Sequence, residues 1–113
     1  MKIKNNNESP IDLLVVIVPR NDGRKVCEIL DKYNIHLQLN CMGHGTAKSN
    51  IADLFGFGIS ERDVVFSIIP TEKGNELLDF FNKTFEFEKK DNGLAMTLPI
   101  NIIEKKLFNL INI

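Results

Sequence analysis

The chain has 113 residues, with 14 Lys and Arg against 15 Asp and Glu and a net charge of -1. That length is one domain's worth, and the balanced charge excludes a basic field over the whole molecule of the kind that draws nucleic acid. Two cysteines, Cys27 and Cys41, are too few for a disulfide framework and fit a reduced, cytoplasmic protein.

The opening MKIKNNNESP has lysines but no apolar stretch behind them, so no leader peptide is expected. Residues 1–11 are expected to be a flexible tail, with a single domain over 12–113. DLLVVIVP, from Asp12, is a nearly continuous Val- and Ile-rich run that reads as a buried central strand stopped by Pro19, too short to span a membrane. Apolar residues at helical spacing follow: Val26, Ile29, Leu30 and Tyr33. In IHLQLNC, Ile35, Leu37, Leu39 and Cys41 then alternate with polar residues, the mark of a strand with one buried face. On that reading Cys41 is an inward-facing core thiol.

CMGHGTAKSNIADLFGFG carries the first candidate site. Backbone amides of Gly43, His44, Gly45 and Thr46 just before a helix suit an anion, and Thr46 can cap the helix or donate its hydroxyl. GHGTAKS lacks the P-loop spacing GxxxxGK[ST]. A strand-to-helix turn uses glycines in the same way. A metal is the alternative, with Cys41 and His44 as ligands, but one chain offers too few donors for zinc and His36 is the only other histidine. A short helix with Ile51, Leu54 and Phe55 on one side is expected next, stopped by Gly56 and Gly58.

From Asp63 the pattern repeats. DVVFSIIPTEKGNELLDFFNKTF aligns without a gap on DLLVVIVPRNDGRKVCEILDKYN at a constant offset of about 51 residues, matching Asp63 to Asp12, Pro70 to Pro19 and Gly74 to Gly23. A second strand ending in proline is therefore expected, then a helix facing inward with Leu77, Leu78, Phe80, Phe81 and Phe85. EKKDNG is the second candidate site. Lys89, Lys90, Asp91, Asn92 and Gly93 offer two cations and exposed amides for a phosphate, in a segment that also reads as an ordinary Asn-Gly turn. LAMTLPI follows as an alternating strand, and NIIEKKLFNLINI is a C-terminal tail too apolar to lie free in water.

Strand-helix-strand twice over is the ferredoxin-like α+β arrangement, a doubled βαβ with a short extra helix between its halves and an apolar tail. Both helices then cover one sheet face, and nothing evident covers the other, which suggests association.

Assembled in this way, residues 12–103 resemble the PII signal-transduction proteins (nitrogen regulatory protein P-II) and the wider PII-like superfamily. Gly43 and Gly45 match a G-x-G element where that family's T-loop leaves the second strand. Lys89, Lys90, Asp91 and Gly93 match basic, acidic and glycine positions of its B-loop. The loop after Cys41 is short, the only tyrosine is Tyr33 on the first helix, and Leu94 stands where the family has a lysine. The resemblance implies a homotrimer with inward-facing sheets and a small anionic effector, ATP, ADP or AMP, in clefts between subunits. It also implies a partner protein that reads a loop, and no catalysis. Two rivals share the fold or do without a ligand: a metal-responsive trimer resembling the divalent-cation tolerance proteins, with Cys41 and His44 near a shared site, and a plain interaction module docking through the tail. An acylphosphatase-like hydrolase would need an anchored Arg and Asn, of which Arg20-Asn21 is a faint echo.

Overall fold

The structure, a computed structural model, describes residues 2–4, 10–43, 61–89 and 91–104. His44, Gly45, Thr46 and Lys90 lie outside these residues, as do the short helix expected around Leu54 and the apolar tail beyond Glu104.

The two proline-terminated runs form strands β2 (Ile11–Pro19) and β4 (Arg62–Pro70), which pair antiparallel along their full length in the middle of a four-stranded sheet. β3 (Gln38–Gly43) flanks β4 and β5 (Leu94–Pro99) flanks β2, so the order across the sheet is β3-β4-β2-β5 with every neighbour antiparallel. Helices α1 (Gly23–Lys32) and α2 (Gly74–Phe85) follow β2 and β4, the second through a 3-10 turn at Thr71–Lys73. This is the expected doubled βαβ. Lys2–Lys4, within the segment expected to be a flexible tail, form β1 and pair antiparallel with β6 (Ile102–Glu104) in a separate two-stranded sheet; Ile11 already belongs to β2. No described helix is long and apolar enough to cross a membrane.

Leu14, Val16 and Val18 of β2 and Val65 and Ile69 of β4 point toward the helices and are fully buried. Val26, Ile29 and Leu30 of α1, with Leu77, Phe81 and Phe85 of α2, close the core above them. Burying each such side chain contributes about 1.5–3 kcal/mol. Phe80, expected inside, is 42 % exposed. Leu77, Phe81 and Phe85 recur every fourth residue and take the inward stripe; Phe80 sits one residue, about 100° of helix, off it. Its ring meets Tyr33 edge-on at 6.1 Å instead.

The alternating strands correct a second expectation. Asn40 of β3 lies under Gly23 at the start of α1, and Gln38 Nε2 donates to the Asp31 carboxylate of that helix. Leu39 and Cys41 therefore turn to the opposite face, where Leu39 is 60 % exposed and Cys41 half-buried, so Cys41 is no core thiol. Only Ile35, ahead of the strand, joins the helix-side core. β5 behaves alike. Ala95 packs on the core and Thr97 lies under Gly74, so Leu94, Met96 and Leu98 occupy the far face. Strand pairing puts Leu13, Val15 and Ile17 of β2 and Val64, Phe66 and Ile68 of β4 between them. The sheet face turned away from the helices is apolar on all four strands. It carries a hollow of about 330 Å³ bordered by Leu13, Leu37, Leu39, Phe66 and Ile68.

Each half of the repeat closes the turn of the other. Asp63, at the start of β4, is buried, and its Oδ2 accepts hydrogen bonds from the Asn21 and Gly23 amides at 2.9 and 3.0 Å, where β2 passes into α1. Its repeat equivalent, Asp12 at the start of β2, accepts the Thr71 hydroxyl at 2.9 Å, where β4 passes into α2. A carboxylate at a helix N-terminus satisfies amides that have no partner within the helix.

Candidate functional site

One end of the sheet gathers the first residue of one candidate segment, Gly43, and the last of the other, Gly93. β3 ends there at Gly43, β4 begins at Arg62, β2 ends at Pro19 and β5 begins at Leu94. Gly43 pairs with Arg62, Arg62 with Pro19, and Leu94 with Ile17. β3 and β5 are the two edges of the sheet, three strand spacings apart, or about 14 Å. A single chain thus brings Gly43 and Gly93 to the same end but leaves them at opposite edges of it.

The second segment is a built turn. Past Phe85 the chain turns left-handed at Glu86 (φ 52°), and Asn92 reaches back so that its Nδ2 donates to the Phe85 and Glu86 carbonyls, 3.1 Å each. Asn92 is thus a side-chain cap on the C-terminus of α2. Asp91 is itself left-handed (φ 71°), and Gly93 has φ 117°. A Cβ on Gly93 would lie 2.0 Å from the Ile17 carbonyl oxygen, so only glycine fits there. Lys89 Nζ is 3.0 Å from Glu86 Oε1, an exposed pair whose net contribution is small. Phe87 stacks on Phe85 at 5.8 Å, and Lys25 stands 5.4 Å over the Phe85 ring.

Of the residues picked from the sequence, Asn92 and Gly93 thus already have architectural work, while Lys89 and Asp91 are exposed at the surface. Beside them a hollow of about 290 Å³ lies between α2 and the start of β5, bordered by Leu78, Asp79, Asn82, Phe87, Gly93 and Leu94. A second one of about 270 Å³, bordered by Lys83, Glu86, Glu88 and Lys89, adjoins it at Asn82.

Arg62 was not singled out in the sequence. Its Nη1 donates to the Asp91 carbonyl at 2.7 Å, tying the first residue of β4 to the turn before β5. An isolated arginine after a loop gives no periodic signal that would have flagged it.

Among the described residues no three His, Cys, Asp or Glu side chains gather as a metal site. Burial, followed by the nearby carboxylates of Asp31 and Asp63, raises the pKa of the Cys27 thiol and leaves it a poor nucleophile. Arg20, the faint hydrolase echo, is paired with Glu61 at 2.6 Å, and the Asn21 amide is taken by Asp63.

Two helices on one face of the antiparallel sheet β3-β4-β2-β5 define a ferredoxin-like domain. No family model matches the sequence, and no curated protein does. Solved structures do. CutA from Synechococcus elongatus PCC7942 superposes with a TM-score of 0.70 at 7 % identity, over 99 % of this chain and 93 % of that one. The GlnK–ATP complex of Bacillus subtilis gives 0.55 at 12 %, over 80 % and 82 %. A Bacillus cereus protein related to NIF3 gives 0.58 at 15 %, where this chain covers 91 % of itself but 29 % of the other. The PII-like resemblance read from the sequence holds for the fold.

Proposed function

We propose that this protein is a non-catalytic PII-like sensor, a cytoplasmic homotrimer that binds a small anionic effector, an adenine nucleotide, in clefts between its subunits and signals to a partner protein. One observation carries the proposal. The segments beginning at Gly43 and ending at Gly93 leave the same sheet end at opposite edges. A neighbouring copy that covers the apolar sheet face would bring the Gly43 edge of one chain to the Gly93 edge of the next. Gly43 to Thr46 would then offer backbone amides to the phosphates, and Lys89 and Lys90 their charge. The likeness to the GlnK–ATP complex supports a nucleotide as the first effector to try. Signalling then follows from differential binding: the effector favours the loop conformer it contacts more, and the partner reads that conformer.

The second reading, a metal-responsive trimer, is favoured by the position of Cys41 on the apolar face rather than in the core, where association would draw thiols from several copies together.

The test is a thermal-shift panel of ATP, ADP, AMP, zinc and copper, with the mass in solution measured alongside. A ligand at 100 times its Kd stabilises by about 2.7 kcal/mol, several degrees for a domain of this size. A nucleotide shift that is lost in K89A/K90A on a trimeric particle is the expected result. A shift with metal alone moves the assignment to the second reading, and a monomeric mass overturns the cleft.

A further inference from the structure

The residue that joins the two loops lies in neither of them. Arg62 opens an interior strand, so its backbone is paired on both sides, with Gly43 at the end of β3 and with Pro19 at the end of β2. Its side chain crosses the end of β2 and donates Nη1 to the Asp91 carbonyl at 2.7 Å. That is a short, charge-assisted bond from a rigid, planar donor.

The acceptor is part of a turn that resists its own shape. Asp91 holds a left-handed φ of 71°, a conformation L-residues disfavour, and Gly93, two residues on, is pressed against the Ile17 carbonyl. On the helix side the turn is fastened by Asn92, which caps α2. On the strand side, Arg62 fastens it through Asp91. Neighbouring Glu61 makes the parallel connection to Arg20 at the β2–α1 turn.

We propose that Arg62 is a positioning residue for the candidate site: it sets the turn carrying Asp91 and Gly93 relative to the end of β3, so that a displacement at Gly43 is passed to Asp91 and the reverse. The half of this that concerns an effector rests on the function proposed above; the half that concerns the turn does not. A guanidinium suits the task because one end of the residue is locked into the ladder and the other is long enough to cross a strand. Methionine would keep the length and the packing but could not donate.

The experiment uses the full chain, labelled with ¹⁵N and ¹³C, as wild type, R62M and R62K. In R62M the Asp91 carbonyl resonance moves upfield, and the Asn92 amide, bonded to Lys89 O within the same turn, exchanges about tenfold faster. R62K, which restores a donor of similar reach, recovers most of the protection. That rescue separates positioning from packing, which methionine already supplies. An Asp91 carbonyl and an Asn92 exchange rate unchanged in R62M overturn the proposal. Should R62M fail to fold, R62Q, polar but shorter, takes its place with the same two outcomes: an Asp91 carbonyl moved upfield supports the bond, and an unmoved one overturns it. ATP is then titrated into wild type and R62M. Gly43 and Gly93 amides that respond together in wild type and separately in R62M support the relay, and amides that respond together in both overturn it. If ATP moves neither in wild type, the nucleotide reading fails, while the exchange rates still decide the role of Arg62.

Discussion

The two halves of the repeat use the same device with different chemistry. In the first, Asn21 takes a left-handed φ of 79°, and with it the Asn21 and Gly23 amides converge on one carboxylate oxygen of Asp63. Asparagine tolerates that conformation better than most residues. In the second, the equivalent stretch runs as a 3-10 turn at Thr71–Lys73, and Asp12 meets a hydroxyl rather than two amides. The halves also diverge past their helices. α1 ends at Lys32 and β3 begins at Gln38, whereas α2 ends at Phe85 and β5 begins at Leu94. The longer connection is the one that contains Asp91, Asn92 and Gly93. Where the halves agree they build the sheet and core, and where they differ they build the candidate site.

The sharpest break of that comparison is Gly93→Ala. It puts a methyl group into the Ile17 carbonyl at a φ that alanine disfavours, so a loss of about 3 kcal/mol or more is expected in chemical denaturation. A loss under about 1 kcal/mol would mean that the turn is looser than drawn. Asp63→Ala comes next, at about 2–3 kcal/mol, because two amides, Gly23's buried and Asn21's part-buried, lose their acceptor. Asp12→Ala, the equivalent change in the other half, should cost only about 0.5–1 kcal/mol, since its hydroxyl partner is exposed. Equal losses from the two aspartates would erase the proposed difference between the turns. Leu39→Glu should leave the melting of the single chain nearly unchanged and lower the particle mass in light scattering; an unaltered mass would place association elsewhere. The smallest effect is at Cys27. Its raised pKa means less thiolate at any pH below it, so disulfide-reagent labelling of folded protein should be slower than for a free thiol and accelerate on unfolding. Labelling as fast as a free thiol would contradict that burial.

Much of the architecture was legible from the chain. Apolar runs stopped by Pro19 and Pro70 read as central strands and the stripes through Val26 and Leu77 as helices lying on them, and the structure has both. The direction in which β3 and β5 turn their apolar sets was not legible. Alternation identifies a face without saying which layer it meets, and Ile35 took the helix side while Leu39 took the other. β1 escaped notice because three residues of a polar stretch carry no period. At the candidate site, Asn92 and Gly93 were visible as turn residues, but the reasons they are needed, two carbonyls of α2 and one of β2, come from elements distant in the chain. Arg62 was invisible for the same reason.

The pairing of the central strands carries one more consequence. Val15 lies directly opposite Phe66, its own equivalent in the repeat, so the local two-fold that relates the halves passes between them. Ile100, just past β5, donates its amide to the Ile11 carbonyl at 3.2 Å, which sets the end of the second half beside the start of the first. A circular permutant joined there by a short linker and opened between β3 and β4 would run β4-α2-β5-β2-α1-β3. It would be a different sequence with the same winding, because exchanging two equivalent halves leaves the topology as it was.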